Sequence, residues 1–91
     1  MPVAFSAEAL ADLAAIRAYI GEWNPVAASR IAVQLVAACD RLEHLPERGR
    51  PGLVEGTREA TSIWPYVIVY RITTAGVEIV RVWHSAQDRG G

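Results

Sequence analysis

The chain has 91 residues, 52% of them apolar, and a formal net charge of −1. So short a chain buries one small core, so residues 1–91 are read as a single domain. The near-neutral charge says little about partners, and no direct DNA binding is expected of the chain alone. Its make-up is more telling. All nine basic residues are arginine, so no lysine is available as general acid, general base or Schiff-base former. No apolar run approaches the roughly 18 residues of a membrane span. The N-terminus lacks the basic-then-apolar order of a signal peptide, so a cytoplasmic protein with no membrane association is expected. Cys39 has no second cysteine to pair with and reads as a small buried helix residue. No Cys/His spacing suggests zinc, so neither a metal nor a cofactor is expected. The apolar content is high for a lone domain of this size, which points to a surface that meets a partner.

In chain order, Pro2 to Phe5 is a short apolar stretch and the first strand. Ser6 is an N-cap, and Glu8 suits the first turn of a helix. Leu10, Leu13, Ile16 and Ile20 then recur at helical spacing, with Glu8, Asp12 and Tyr19 on the opposite side. Gly21 to Asn24 breaks the pattern. Asn24-Pro25 pairs an N-cap with an N1 proline, and Ile31, Leu35, Ala38, Leu42 and Leu45 form one stripe, so a second helix is predicted from Pro25 to Leu45. The short connection makes the two helices an antiparallel hairpin. Val33 and Val36 fall off the stripe and are candidates for a partner surface. Pro46 to Gly56 is read as a loop. Thr57 to Ile63, Tyr66 to Ile72 and Val77 to His84 are read as strands, the middle one apolar on both faces and so central. The expected fold class is α+β: an N-terminal strand, an antiparallel helix hairpin, then a three-stranded antiparallel meander.

Closing the last hairpin at Thr73-Thr74-Ala75-Gly76 sets Arg71 opposite Glu78, Val69 opposite Val80, Val67 opposite Val82 and Tyr66 opposite Trp83. One face then carries Tyr66, Ile68, Tyr70, Ile72, Val77, Ile79, Arg81 and Trp83, and is expected to pack on the helices. The other is a valine floor of Val67, Val69, Val80 and Val82, rimmed by Arg71, Glu78 and His84 and joined near Arg71 by Arg58. A valine floor in water is an aggregation hazard, so a second polypeptide is expected to cover it. Catalysis can be sketched with His84 as base, Arg58 and Arg81 stabilising phosphorane charge, and Glu55 as the second proton carrier. Nucleophilic triads, Gly-rich phosphate loops and paired carboxylates of fixed spacing are absent.

Several stretches, in this order, resemble the ParE/RelE superfamily of toxins from type II toxin–antitoxin pairs. They are Ala11-Asp12-Leu13 with Tyr19-Ile20, Asn24-Pro25-Val26-Ala27-Ala28, Leu45-Pro46-Glu47-Arg48-Gly49-Arg50-Pro51-Gly52, Arg58-Glu59, Pro65-Tyr66-Val67-Ile68-Val69-Tyr70-Arg71, Ile79-Val80-Arg81-Val82-Trp83-His84 and Asp88-Arg89. The resemblance implies a growth-inhibiting toxin made beside an antitoxin, of the ribbon-helix-helix type, whose C-terminal segment wraps it. That fits the uncovered apolar surface read above, so the antitoxin is expected on Val33, Val36, Val67, Val69, Arg71, Val80 and Val82. In the branch that cuts messenger RNA on the ribosome, an Arg usually stands where this chain has Val67, and lysines and a C-terminal Tyr or His contribute. The ParE-like branch acts on DNA gyrase. Missing that Arg and all lysines, the chain is read as ParE-like, a binding module that meets gyrase through Arg58, Arg81, Trp83, His84 and Arg89. His84 keeps a ribosome-dependent endoribonuclease as the alternative, and a non-toxic antitoxin-binding protein is a third reading.

Overall fold

The structure, a computed structural model, describes residues 2–86. Its elements are β1 (Val3–Phe5), α1 (Ala7–Gly21), α2 (Pro25–Arg41), β2 (Arg50–Pro51), β3 (Arg58–Ala60), β4 (Tyr66–Thr73) and β5 (Gly76–His84). They form an α+β fold with a 5-stranded sheet in the order β1-β5-β4-β3-β2. The expected meander β3-β4-β5 is present. It is extended by β2 on one edge and by β1, which pairs parallel to β5, on the other. None of the described helices is long and apolar enough to cross a membrane.

Local chemistry explains the boundaries. Ser6 caps α1, its hydroxyl accepting from Ala9 N at 3.0 Å. Asn24 caps α2 in the same way at Ala27 N, with Pro25 in the first turn, where its missing N–H costs nothing. The apolar stripe of α2 suggests a helix to Leu45, but the helix ends at Arg41. Pro46 would clash with the carbonyl of residue 42 and push Leu45 out of the helical region, so the chain unwinds a turn early. The stretch read as loop is also more ordered than expected. Pro46–Arg48 forms a 3-10 turn and Arg50–Pro51 a two-residue edge strand. Both prolines sit where proline is tolerated, at a helical N1 position and on a sheet edge.

The register of the β4–β5 hairpin differs from the expected one in an important way. Near the turn the pairing is as expected, with Arg71 opposite Glu78 and a 3.2 Å ion pair between them. Between Val69 and Tyr70 the ladder shifts: Tyr70 pairs with Ile79, but Val69 pairs with Arg81. Val80 is the extra residue of a β-bulge. Side chains alternate along a strand, so one extra residue exchanges the faces of everything after it. Val67 therefore faces Trp83, Ile68 faces Val82 and Tyr66 faces His84. Arg81 and Trp83 leave the helix-facing side, and Val82 and His84 join it.

The core lies between the helix hairpin and that side of the sheet. Ala9 of α1 and Leu35, Ala38 and Cys39 of α2, with Leu42 just beyond it, pack against Ile68 and Tyr70 of β4 and Val77, Ile79 and Val82 of β5. β1 ends at Phe5, so the outer edge of β5 is open from Val80 onward. Residues at the start of α1 close it. Ser6 Oγ donates to Val80 O at 2.8 Å, and Asp12 accepts the backbone N–H of Val82 at 2.9 Å. Asp12 also takes both arms of Arg81, at 2.7 and 3.0 Å. Asp12 thus faces the sheet edge rather than solvent, contrary to the helical-wheel expectation.

A second set of bonds holds the segment before β2. The buried Tyr70 hydroxyl donates to Pro46 O at 2.6 Å and accepts from Gly49 N at 2.9 Å. Arg58 Nη1 donates to Glu47 O and Gly49 O, at 3.1 and 3.0 Å. Gly49 is required here, because a Cβ would stand 2.5 Å from the Tyr70 hydroxyl and 2.9 Å from Glu59 O.

Four outcomes follow from this packing. Tyr70→Phe removes the partner of the part-buried Gly49 N–H and Pro46 carbonyl, and should lower unfolding free energy by about 1–3 kcal/mol in urea titrations. Asp12→Ala should cost a similar amount, about 1–3 kcal/mol, by leaving Val82 N–H and the Arg81 guanidinium without their acceptor. Burial, and then the neighbouring Asp40 charge, push the Cys39 thiol from 9.0 up to about 12. The native thiol should therefore resist iodoacetamide until the chain unfolds. Between those two values the unfolded chain releases the thiol proton and the folded chain keeps it, so folding stability should fall as pH rises. A Cys39→Ala variant should show a shallower alkaline loss in the same urea titrations.

Candidate functional site

The residues expected to meet a target divide between two faces. Arg81 and Trp83 lie on the side away from the helices, and the Arg81 guanidinium carbon stands 4.1 Å from the Trp83 ring centroid. Cation–π contact on one side and the Asp12 carboxylate on the other hold this arginine in place. The Asp12 hydrogen bond is the main reason its pKa is raised. His84 lies on the other side, its ring edge-on to Tyr66 with centroids 5.5 Å apart and its Nδ1 accepting from Ala86 N at 3.0 Å. Arg58 is turned toward the carbonyls of the 46–49 segment. Arg89 lies outside the described residues, as does Asp88.

The sketched acid–base set does not assemble. Arg58 pairs opposite Tyr70 and His84 opposite Tyr66, four residues apart along β4. That separation is about 13 Å at the rise of a strand, with a full strand between them as well. Arg81 is on the other face and bound to Asp12. Glu55 is exposed in the turn between β2 and β3, which is closed by Gly52 N–H to Thr57 O at 2.8 Å. Proton transfer needs donor and acceptor within roughly 3 Å, directly or through one water. Tyr66, beside His84, offers no ready base: burial, then the neighbouring Tyr19 phenol, raise its pKa. Among the described residues, no group of His, Cys, Asp and Glu could hold a metal ion.

The expected valine floor is not open to solvent. Val67 is 0%, Val69 8% and Val82 2% exposed. Val82 is in the helix-side core because of the bulge. On the opposite side, Val69 and the half-buried Val80 share a small cleft of about 120 Å³ with Leu53, Val54, Arg81 and Trp83. Arg71 remains exposed, paired with Glu78. The apolar surface that the composition demanded is elsewhere, on the helices and turns. Val33 is 69% exposed on α2, with Val26 and Val36 on the same helix, and Tyr19 and Trp23 lie at the helix hairpin's turn. Leu53 and Val54 are exposed before β3. Val26 and Trp23 were missed because they flank a strong helix-start signal and read as boundary residues. Asp12 carried one available signal: it is a carboxylate set among leucine and alanine.

The profile described as the ParE toxin of the type II toxin–antitoxin system parDE matches residues 3–89. Toxin RelE2 of Caulobacter vibrioides is 48% identical over 86 residues, 93% of this chain and 96% of that protein. Toxin RelE1 of the same organism is 34% identical over 90 residues, 96% of each. The chromosomal ParDE TA system of P. aeruginosa has a chain that superposes with a TM-score of 0.85 at 26% identity, over 92% of this chain and 95% of that one. With its sheet order, helix hairpin and sequence in agreement over nearly the full length, this chain belongs to the ParE toxin family of type II toxin–antitoxin systems.

Proposed function

We propose that this chain is a ParE-like toxin that works in the cytoplasm by binding rather than by catalysis, with DNA gyrase as its target and a ribbon-helix-helix antitoxin as its neutralising partner. The observation that carries the reading is the scatter of His84, Arg58, Arg81 and Glu55 described above. Val67 adds to it: the position where RNA-cutting members usually carry an Arg is fully buried here by an apolar side chain. Arg81, Trp83 and His84 at the end of β5 are the proposed gyrase contacts, with Arg58 and Arg89 as the outlying members of that set. Val33 and Val36, with Arg71 and Val80, are the proposed antitoxin contacts. Val67, Val69 and Val82 are buried in the folded chain and drop out of that set.

The names of the two Caulobacter relatives and the Tyr66–His84 contact favour a second reading, a ribosome-dependent endoribonuclease. The two make opposite predictions. Purified chain should inhibit gyrase supercoiling and leave messenger RNA on translating ribosomes intact. Codon-linked RNA cuts with normal supercoiling would overturn the proposal. His84→Ala should weaken growth arrest by no more than about tenfold in an induction assay, as the loss of one binding contact would, whereas losing a general acid–base group costs about 10²–10⁴-fold.

A further inference from the structure

A cleft of about 480 Å³ opens where the end of α2, the 3-10 turn with β2, and the segment following β3 meet. Its apolar lining includes Leu42 and Leu45, and Leu45 is 57% exposed. Arg41, Arg48 and Arg50 also line it. We propose that this cleft docks an acidic amphipathic peptide segment, with an apolar side chain on Leu42 and Leu45 and carboxylates on Arg41 and Arg48.

Charge is the first argument. The Arg50 charge is balanced by Glu59, 3.0 Å away and also lining the cleft. Among the described residues, Arg41 and Arg48 enter no ion pair. Three arginines against one carboxylate leave two positive charges on the cleft, in a chain whose net charge is −1. Arginine's planar fork suits carboxylates, which it binds with two parallel hydrogen bonds.

Preorganisation is the second. Arg48 sits in the segment that Tyr70 and Arg58 clamp through the backbone of Pro46, Glu47 and Gly49. A rim held before the ligand arrives has less ordering to lose on binding. The lining also selects among anions. It contains no aromatic side chain, so nucleic-acid bases have nothing to stack on, while the exposed Leu45 calls for an apolar contact. A peptide supplies both apolar contact and charge. The inference leans on the proposed function at one point: the antitoxin is the polypeptide expected to carry such a segment.

The test uses the folded chain and three defined probes: a synthetic helical peptide of leucine, alanine and glutamate, its lysine counterpart, and an oligouridylate of matched charge. The glutamate peptide should bind by calorimetry, shift the Leu42 and Leu45 methyl resonances, and weaken with salt. Arg41→Glu and Arg48→Glu should each weaken it at least about tenfold, and Arg48→Gln by somewhat less. Arg17→Glu, on the exposed side of α1 and away from the cleft, should leave it unchanged. All three arginines are exposed, and circular dichroism would confirm that each variant folds. No binding of the glutamate peptide, equal binding by the charge-reversed variants, or tighter arginine-dependent binding of oligouridylate would each overturn the inference. Gyrase inhibition, assayed separately, distinguishes the two failures. Supercoiling inhibition without peptide binding removes only the cleft proposal. Peptide binding without supercoiling inhibition removes only the functional one.

Discussion

One residue too many in β5 organises this molecule. If β4 and β5 paired without interruption, Arg81 and Trp83 would point at the helices, and His84 would share the opposite face with Arg71. The bulge at Val80 reverses both outcomes. It places Val82 in the core, sets His84 against Tyr66, and turns Arg81 and Trp83 outward as a stacked pair. The Val80 carbonyl and the Val82 N–H, on the outer edge of β5 that the short β1 leaves open, are taken up by Ser6 and Asp12. Strand-edge groups of this kind persist in a native fold only when other groups satisfy them, so α1 completes the edge beside the bulge.

Much of this architecture is written in local residue chemistry. Ser6 and Asn24 announce the helix starts through their side-chain oxygens, and Gly76 with the Arg71–Glu78 pair sets the hairpin turn. The bulge is not legible in the same way. In Ile79-Val80-Arg81-Val82-Trp83-His84, apolar and polar residues alternate acceptably in either register, and nothing in a valine marks it as the residue to be left over. The valine floor failed for that reason and one more. The short turn before β3 brings Leu53 and Val54 beside Val69, a contact set by tertiary geometry rather than by periodicity. Pro46 stopped α2 earlier than its apolar stripe suggested, because a steric clash overrides hydrophobic spacing.

The functional consequences follow from the same geometry. Residues that could transfer protons are present, yet the fold scatters them between faces and along the strands. What it does build are surfaces: an apolar helix face with Val26, Val33 and Val36, an arginine–tryptophan pair at the end of β5, and a clamped arginine-rimmed cleft beside β2. A small toxin held inactive by a partner needs surfaces of this kind.

The faces that Arg81, Trp83 and His84 present rest on the register of β5, and cross-strand nuclear Overhauser effects in the free protein read that register directly. Contacts of the Val67 methyls with the Trp83 indole, and of the Tyr66 ring with the His84 ring, are the result this account requires. Contacts of Val67 with Val82 and of Tyr66 with Trp83 as the facing pairs would restore an unbroken ladder. They would return His84 to the face of Arg71 and contradict the account at its base.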